Sequence, residues 1–347
     1  MDKGIVIVTG SSGRIGTQAA KRLGKDHRIV GFELLKAIYA SSQEELVPVD
    51  LSSDESVVQA FKHIKDFYGR KITSVIHLAA YYSFAQQHSP KYETITVQGT
   101  GRLLKALQEF DVEQFIFTST MLVHAPTQPG KPITEDLPLV PTWDYPLSKV
   151  HTEHLIHEMR GKIPTVILRI AGVYDDQCHS IPISNQIQRI YEKKMEAHLF
   201  PGDPCHGSSF VHMDDVVDAI ALAVEKRKTL PPELTLLIGE PKTLSYAEIQ
   251  SKISCLLYNR PFSTYRIPKF VAKCGAWVQC LLSFKNKPFI RPWMINFADD
   301  HYELDITRAK KTLGWNPKHS LEETLPIMLD SLKKDPEKWY KINGLHR

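Results

Sequence analysis

A short apolar run, Ile5-Val6-Ile7-Val8, leads directly into Thr9-Gly10-Ser11-Ser12-Gly13-Arg14-Ile15-Gly16. Glycines spaced GxxGxxG between a strand and a helix answer three demands. The chain must turn tightly, its backbone must come close to a pyrophosphate, and the helix must pack closely on the strand. The helix start also turns N–H groups and a positive dipole end toward phosphates. A glycine triplet alone is a weak signal; the strand before it and the helix after it supply the required context. We therefore expect Gly10, Ser12, Gly13, Arg14, Ile15 and Gly16 to cradle a dinucleotide.

The organisation of the chain agrees. Ile5-Val8, Arg28-Phe32, Leu46-Val49, Ser74-Leu78, Gln114-Thr118 and Thr165-Ile170 are short and apolar on both faces, as buried parallel strands are. Helical patterns lie between them, at Gly16-Leu23, Asp54-Phe67, Tyr92-Phe110 and Pro146-Met159. This alternation predicts an α/β fold with a Rossmann-type, doubly wound parallel sheet. After about Tyr174 the pattern changes: prolines cluster and helices dominate, around Ile183-Lys194 and Leu244-Leu257, with a strand candidate at Leu234-Ile238. The expected division is a dinucleotide-binding domain over 1–175, rejoined by about 209–232. A smaller mixed substrate lobe and terminal helices fill 176–347.

Composition excludes little but narrows the class. The 347 residues are 42% hydrophobic and 24% charged, with net charge +4, so nucleic acid is not an expected partner. Five cysteines without a CxxC read as reduced thiols in a cytoplasmic protein. No run of about 18 uncharged apolar residues suggests a membrane span. His151, His154 and His157 recur every three residues, which drifts around a helix, so no metal is expected.

The second strand ends at Glu33, 17 residues after Gly16. An acid there can accept from adenosine ribose hydroxyls and would repel the extra phosphate of NADP, which favours NAD. Arg14 and Lys36 are the nearby bases that a phosphate could use instead. Asp50-Leu51, past the third strand, is expected beside the adenine. Leu78-Ala79-Ala80, past the fourth, would leave a small floor under the cofactor, with Thr118 at the end of the next strand.

Tyr145-Pro146-Leu147-Ser148-Lys149 puts a phenol and an ammonium four residues apart, on one face of a helix. A phenol of pKa near ~10 is a poor base at neutral pH. A neighbouring ammonium stabilises the phenolate, so Tyr145 can exchange a proton with a substrate hydroxyl or carbonyl while hydride moves. Thr118-Ser119-Thr120 ends a strand and is placed to add a second hydroxyl. A second YxxxK, Tyr265 to Lys269, contains Pro268 and has no such hydroxyls upstream, so it reads as an accident of spacing.

Taken together, the chain resembles the extended short-chain dehydrogenase/reductase family, the NAD-dependent epimerase/dehydratase family, over essentially its whole length. The carriers are the glycine loop, Asp50-Leu51, His77-Leu78-Ala79-Ala80, Thr118-Ser119-Thr120, Tyr145-x-x-x-Lys149, Leu168-Arg169 with Val173-Tyr174, Phe210-Val211-His212-Met213-Asp214-Asp215 and Leu313-Gly314-Trp315-x-Pro317. The resemblance implies Thr120 as the catalytic hydroxyl, Tyr145 as acid/base, and Lys149 as its partner and ribose ligand. It also implies a homodimer built on the Tyr92-Phe110 and Pro146-Met159 helices.

The chain departs from the sugar-nucleotide members. Gly172 stands where they carry Asn, Ser208 where an Arg precedes the family's His, and His124 where a Tyr is expected. The first two changes remove donors that a diphosphate would want, leaving Arg189 or Arg291 to substitute. Tyr81 and Tyr82 are further candidates for the small-molecule substrate cleft. An alternative is therefore a hydroxysteroid-dehydrogenase-like or carbonyl-reducing enzyme for an apolar substrate. A non-catalytic dinucleotide sensor or scaffold is the rival from another class. The helical apolar pattern in 267–284, flanked by Lys269, Lys273, Lys285 and Lys287, is read as lobe packing, a substrate lid or a peripheral membrane contact.

Overall fold

The computed structural model describes residues 4–34, 44–83, 88–282 and 290–345. Its centre is a seven-stranded sheet: β1 (Ile5–Thr9), β2 (Arg28–Glu33), β3 (Glu44–Pro48), β4 (Ser74–His77), β5 (Phe115–Thr120), β6 (Thr165–Ile170) and β7 (Glu233–Ile238). The spatial order is β7-β6-β5-β4-β1-β2-β3. Every neighbouring pair is parallel. All strand ends that matter for binding therefore open at one carboxyl edge, and the order reverses between β1 and β4.

Alternation along β1 shows why its run is apolar throughout. Val6 and Val8 pack with α1 (Arg14–Leu23), α6 (Met213–Glu225) and α9 (Thr307–Leu313) on one face. Ile5 and Ile7 pack with α2 (Asp54–Tyr68), α3 (Gln98–Leu107) and α4 (Asp144–Met159) on the other. A strand covered on both faces has no polar side to show. The region predicted as one helix from Tyr92 begins as a π-turn, Tyr92–Val97, before α3. There Thr96 Oγ1 accepts the Tyr81 N–H at 3.0 Å.

A third core lies between α5 (Ile181–Tyr191), α7 (Tyr246–Tyr258), α10 (Leu321–Lys334) and α11 (Pro336–Ile342). One expectation needs correction. Leu234-Ile238, read from the sequence as part of the smaller lobe, is the edge strand β7, with Leu236 opposite Leu168. The chain thus stays with the main sheet through residue 238, past the expected 232. Leu236, Leu237 and Ile238 are fully buried, as the residues of the central strands are. A buried run of that kind carries no local mark of which neighbour it pairs with.

Candidate active site

The loop after β1 is closed by its glycines. Gly10 has φ of +69°, a conformation most side chains avoid. A Cβ at Gly16 would lie 2.3 Å from the Gly10 carbonyl oxygen. Gly13 caps α1 without any side-chain hydrogen bond, and no acid sits in the first turn. Arg14 is exposed, Ile15 half-buried and Ser12 buried. The Ser12 N–H donates to Glu33 Oε2 at 3.1 Å, so the acid at the end of β2 reaches the glycine loop.

A chain of hydrogen bonds ties this loop to β4. Thr9 Oγ1 accepts from the N–H groups of Leu78 at 3.2 Å and Ala79 at 3.1 Å. Its own proton is thereby directed to His77 Nδ1, 2.7 Å away. The other ring nitrogen, Nε2, donates to Thr100 Oγ1 at 2.8 Å, and Thr100 donates to the Thr96 carbonyl at 2.6 Å. This assignment makes His77 a neutral imidazole with one donor and one acceptor. Burial, with Lys149 adding to it, lowers its pKa to about 3. Leu78, Ala79 and Ala80 line the resulting shelf, each half-buried.

Asp50 is exposed, but its carboxylate accepts from Ser52 N–H at 2.8 Å and Ser52 Oγ at 2.7 Å. Those bonds hold its pKa below the usual carboxylate value. Asp50 thus also builds the turn into α2. Leu51 is buried, and a Cβ at Gly99 would lie 3.0 Å from its Cβ. Lys36, the second base considered for a phosphate, lies outside the described residues.

Tyr145, Lys149 and Glu153 succeed one another on α4 at intervals of four, forming one stripe. Burial pushes the Tyr145 phenol above the ordinary value, and the Thr120 side chain opposes that rise. Lys149 Nζ lies 6.0 Å from the Tyr145 ring centroid and donates to the Thr118 carbonyl at 2.8 Å. Burial lowers the Lys149 pKa to about 7, against the opposing pull of Glu153. The structure therefore brings Thr120, Tyr145 and Lys149 together at the carboxyl end of β5. The second YxxxK does not assemble: Tyr265 lies on the strand Tyr265–Ile267, whereas Lys269 begins α8 (Lys269–Leu282).

Behind the stripe is a buried polar network that sequence reasoning passed over. Glu153 accepts from Ser119 Oγ at 2.5 Å and from Arg169 Nη2 at 2.7 Å. Arg169 Nη1 donates to the Glu135 carbonyl at 2.9 Å and meets His124 Nε2 at 3.1 Å. His124 is 1% exposed. Burial first, then Arg169, lowers its pKa to about 4. Considered from the sequence for substrate contact, it instead acts as a neutral acceptor inside this network. Glu153 was recognisable in principle, since it repeats the Tyr145–Lys149 interval once more.

The open side is aromatic. Tyr82 is exposed, with its ring 4.7 Å from that of Tyr145; Trp143 stands 5.5 Å from Tyr145, and Trp293 5.5 Å from Trp143. Tyr81 packs edge-on against Tyr92 at 5.0 Å. Gly172 lies under Phe210, whose ring a Cβ would meet at 2.8 Å. Ser208 is half-buried in a bridge with Tyr302. Arg291 is half-buried at the cap of the Pro292–Phe297 turn. Nothing in the sequence pointed to Trp143 or Trp293, which meet across 150 residues.

Among the described residues, His212, Asp214 and His319 bring ligand-type atoms within 4.8 Å of one another. His212 Nδ1, however, accepts the Asp214 N–H at 3.2 Å as the cap of α6. His157, on α4, pairs with Glu233 at 2.7 Å.

Residues 6–239 match the NAD dependent epimerase/dehydratase family. The chain is 26% identical to a UDP-glucuronate 4-epimerase of Thermodesulfobacterium geofontis, over 96% of this chain and 98% of that one. It is 24% identical to the mouse 3 beta-hydroxysteroid dehydrogenase type 7, over 92% and 93%. Among solved structures, the UDP-glucuronic acid 4-epimerase of Bacillus cereus, in complex with UDP-glucuronic acid and NAD, superposes with a TM-score of 0.70. It is 22% identical, with 95% of this chain and 99% of that one covered.

Proposed function

The chain belongs to the NAD dependent epimerase/dehydratase family, and from that premise we propose that it moves hydride between NAD and a secondary alcohol or ketone carbon. Tyr145 is the acid/base in this reading. Thr120 polarises the same substrate oxygen, and Lys149 offsets the charge on the phenolate. The observation that carries it is Lys149 Nζ 6.0 Å from the Tyr145 ring centroid and hydrogen-bonded to the Thr118 carbonyl, at the strand end that also bears Thr120. When bound, the nicotinamide supplies the hydride acceptor or donor. Glu33 and Lys149 would hold its two riboses, and the Gly10–Gly16 loop its pyrophosphate.

Tyr145→Phe tests this. Turnover should fall by about 100-fold or more, while NADH binding, followed by fluorescence, stays within a few-fold. Undiminished turnover removes Tyr145 from the role.

For the substrate, the relatives divide between UDP-sugars and a hydroxysteroid. The aromatic wall of Tyr82, Trp143 and Trp293 favours an apolar secondary alcohol or ketone. Gly172 and Ser208 offer a diphosphate little charge. Comparing kcat/KM for UDP-sugars and for cyclic ketones decides between them. We assign substrate recognition to the smaller lobe. We also place a homodimer contact on α3 and α4, following the family resemblance, and a cytoplasmic setting, supported by five unbridged thiols.

A further inference from the structure

Helix α8 carries its large apolar side chains on the wrong side for a helix of a globular lobe. Surface helices turn apolar residues inward and polar ones outward. Here Phe270 is 70% exposed, Trp277 59% and Leu281 54%, at the i, i+7, i+11 spacing of one face; Val271 and Val278 extend it at 44% and 46%. The inward side holds small residues, with Ala276 7% exposed. Such a face needs a covering.

Charge identifies the covering. Between Glu248 and Asp299 the sequence has eight Lys and Arg and no Asp or Glu, whereas the remainder of the chain has 35 bases against 39 acids. Acids from outside this stretch answer some of those bases: Glu322 pairs with Lys252, and Asp299 with Lys269. Among the described residues, no carboxylate pairs with Lys273, which borders the apolar face one turn from Phe270 and Trp277. An apolar face with an aromatic anchor, set in a purely basic stretch, suits the surface of an anionic bilayer. The 14 residues of α8 extend only about 21 Å, short of the ~30 Å hydrocarbon core. The helix can lie in the interface but not cross it.

We propose that α8 docks this protein on anionic lipid surfaces. The helix is fastened toward the active site, because Lys269 Nζ donates to the Asn296 carbonyl at 2.7 Å in the turn that carries Trp293. Trp293 continues through Trp143 to Tyr145. Docking therefore sets the aromatic mouth of the cleft at the bilayer.

Full-length protein should sediment with vesicles of phosphatidylcholine containing about one third phosphatidylglycerol, and only weakly with phosphatidylcholine alone. Raising the salt should release it. The Phe270→Glu/Trp277→Glu variant should bind at least about tenfold more weakly, with its Tm and its activity on a soluble substrate retained. Lys273→Glu should weaken binding to the anionic vesicles. Absence of sedimentation with anionic vesicles, or equal binding by the double variant, overturns the proposal. So does a concentration-dependent dimer, lost in the double variant and formed without vesicle binding, which would assign the face to a second copy. The vesicle assay is independent of turnover, so its outcome does not depend on the proposed reaction.

Discussion

Glu153 stands one helical turn beyond Lys149 and pulls the Lys149 pKa upward against burial, which outweighs it and leaves the group at about 7. The carboxylate is itself held by Ser119 and Arg169 in a site almost closed to solvent. A charge in that position acts through Lys149 without touching a substrate. Glu153→Gln keeps the shape and removes the charge, so the Lys149 pKa should fall further below about 7. The alkaline limb of a pH–kcat profile that needs the ammonium should move to lower pH. Glu153→Ala should also destabilise the fold by about 3–5 kcal/mol, because Arg169 is left buried without its partner. A pH profile unmoved in Glu153→Gln would confine Glu153 to packing.

Lys149 bears a stability cost that its proposed role explains. Its pKa falls from 10.5 unfolded to about 7 folded. Between those values the unfolded chain holds a proton that the native chain has released, so stability rises with pH across that window. Below about pH 7 the cost of the buried ammonium is present in full. Lys149→Met removes the charge and leaves Glu153 and Arg169 paired. In the absence of cofactor, the variant should melt above the parent at about pH 6, and the advantage should vanish toward about pH 10. Turnover should be lost throughout. Thermal melts across that range check the sign, and a variant less stable at pH 6 contradicts it.

What could be read in the sequence and what could not follow from distance along the chain. The β1–glycine–α1 unit and the Tyr145–Lys149 interval are local, so period and spacing reveal them. Thr120 was found because it ends an apolar run. Glu153 repeats the same interval, but the interval alone does not show which buried partners a carboxylate there would meet. The meeting of Trp143 and Trp293 depends on how the lobes close, which no local pattern encodes. The same reason misplaced Leu234-Ile238: an apolar run shows that a strand is buried, not beside which strand. The face of α8 was visible as a helical period, but its outward direction required the structure.

Gly16→Ala tests the cradle. The added Cβ would meet the Gly10 carbonyl at 2.3 Å and the Ser11 Cα at 2.8 Å, both backbone atoms that cannot rotate away. The loop must open, separating the α1 terminus from the strand. NADH affinity should fall at least about tenfold, measured by fluorescence titration. Far-UV circular dichroism should stay unchanged, because the sheet core does not rest on this contact. Unaltered affinity would mean that the dinucleotide does not use this loop.

Glu33 gives the cofactor choice a direct test. Its two oxygens accept the Ser12 N–H at 3.1 Å and the Leu34 N–H at 2.9 Å, which keeps the negative charge against the glycine loop. A ribose hydroxyl could still donate to it, whereas a 2′-phosphate would face an anion. Glu33→Ser removes that repulsion, and Arg14, exposed at the first position of α1, remains to attract the phosphate. The affinity for NADPH relative to NADH should rise by about ten- to a hundredfold, with NADH binding several-fold weaker. Parallel fluorescence titrations with both cofactors measure the ratio. An unchanged ratio would reduce Glu33 to an acceptor for Ser12 and leave the preference for NAD without its proposed cause.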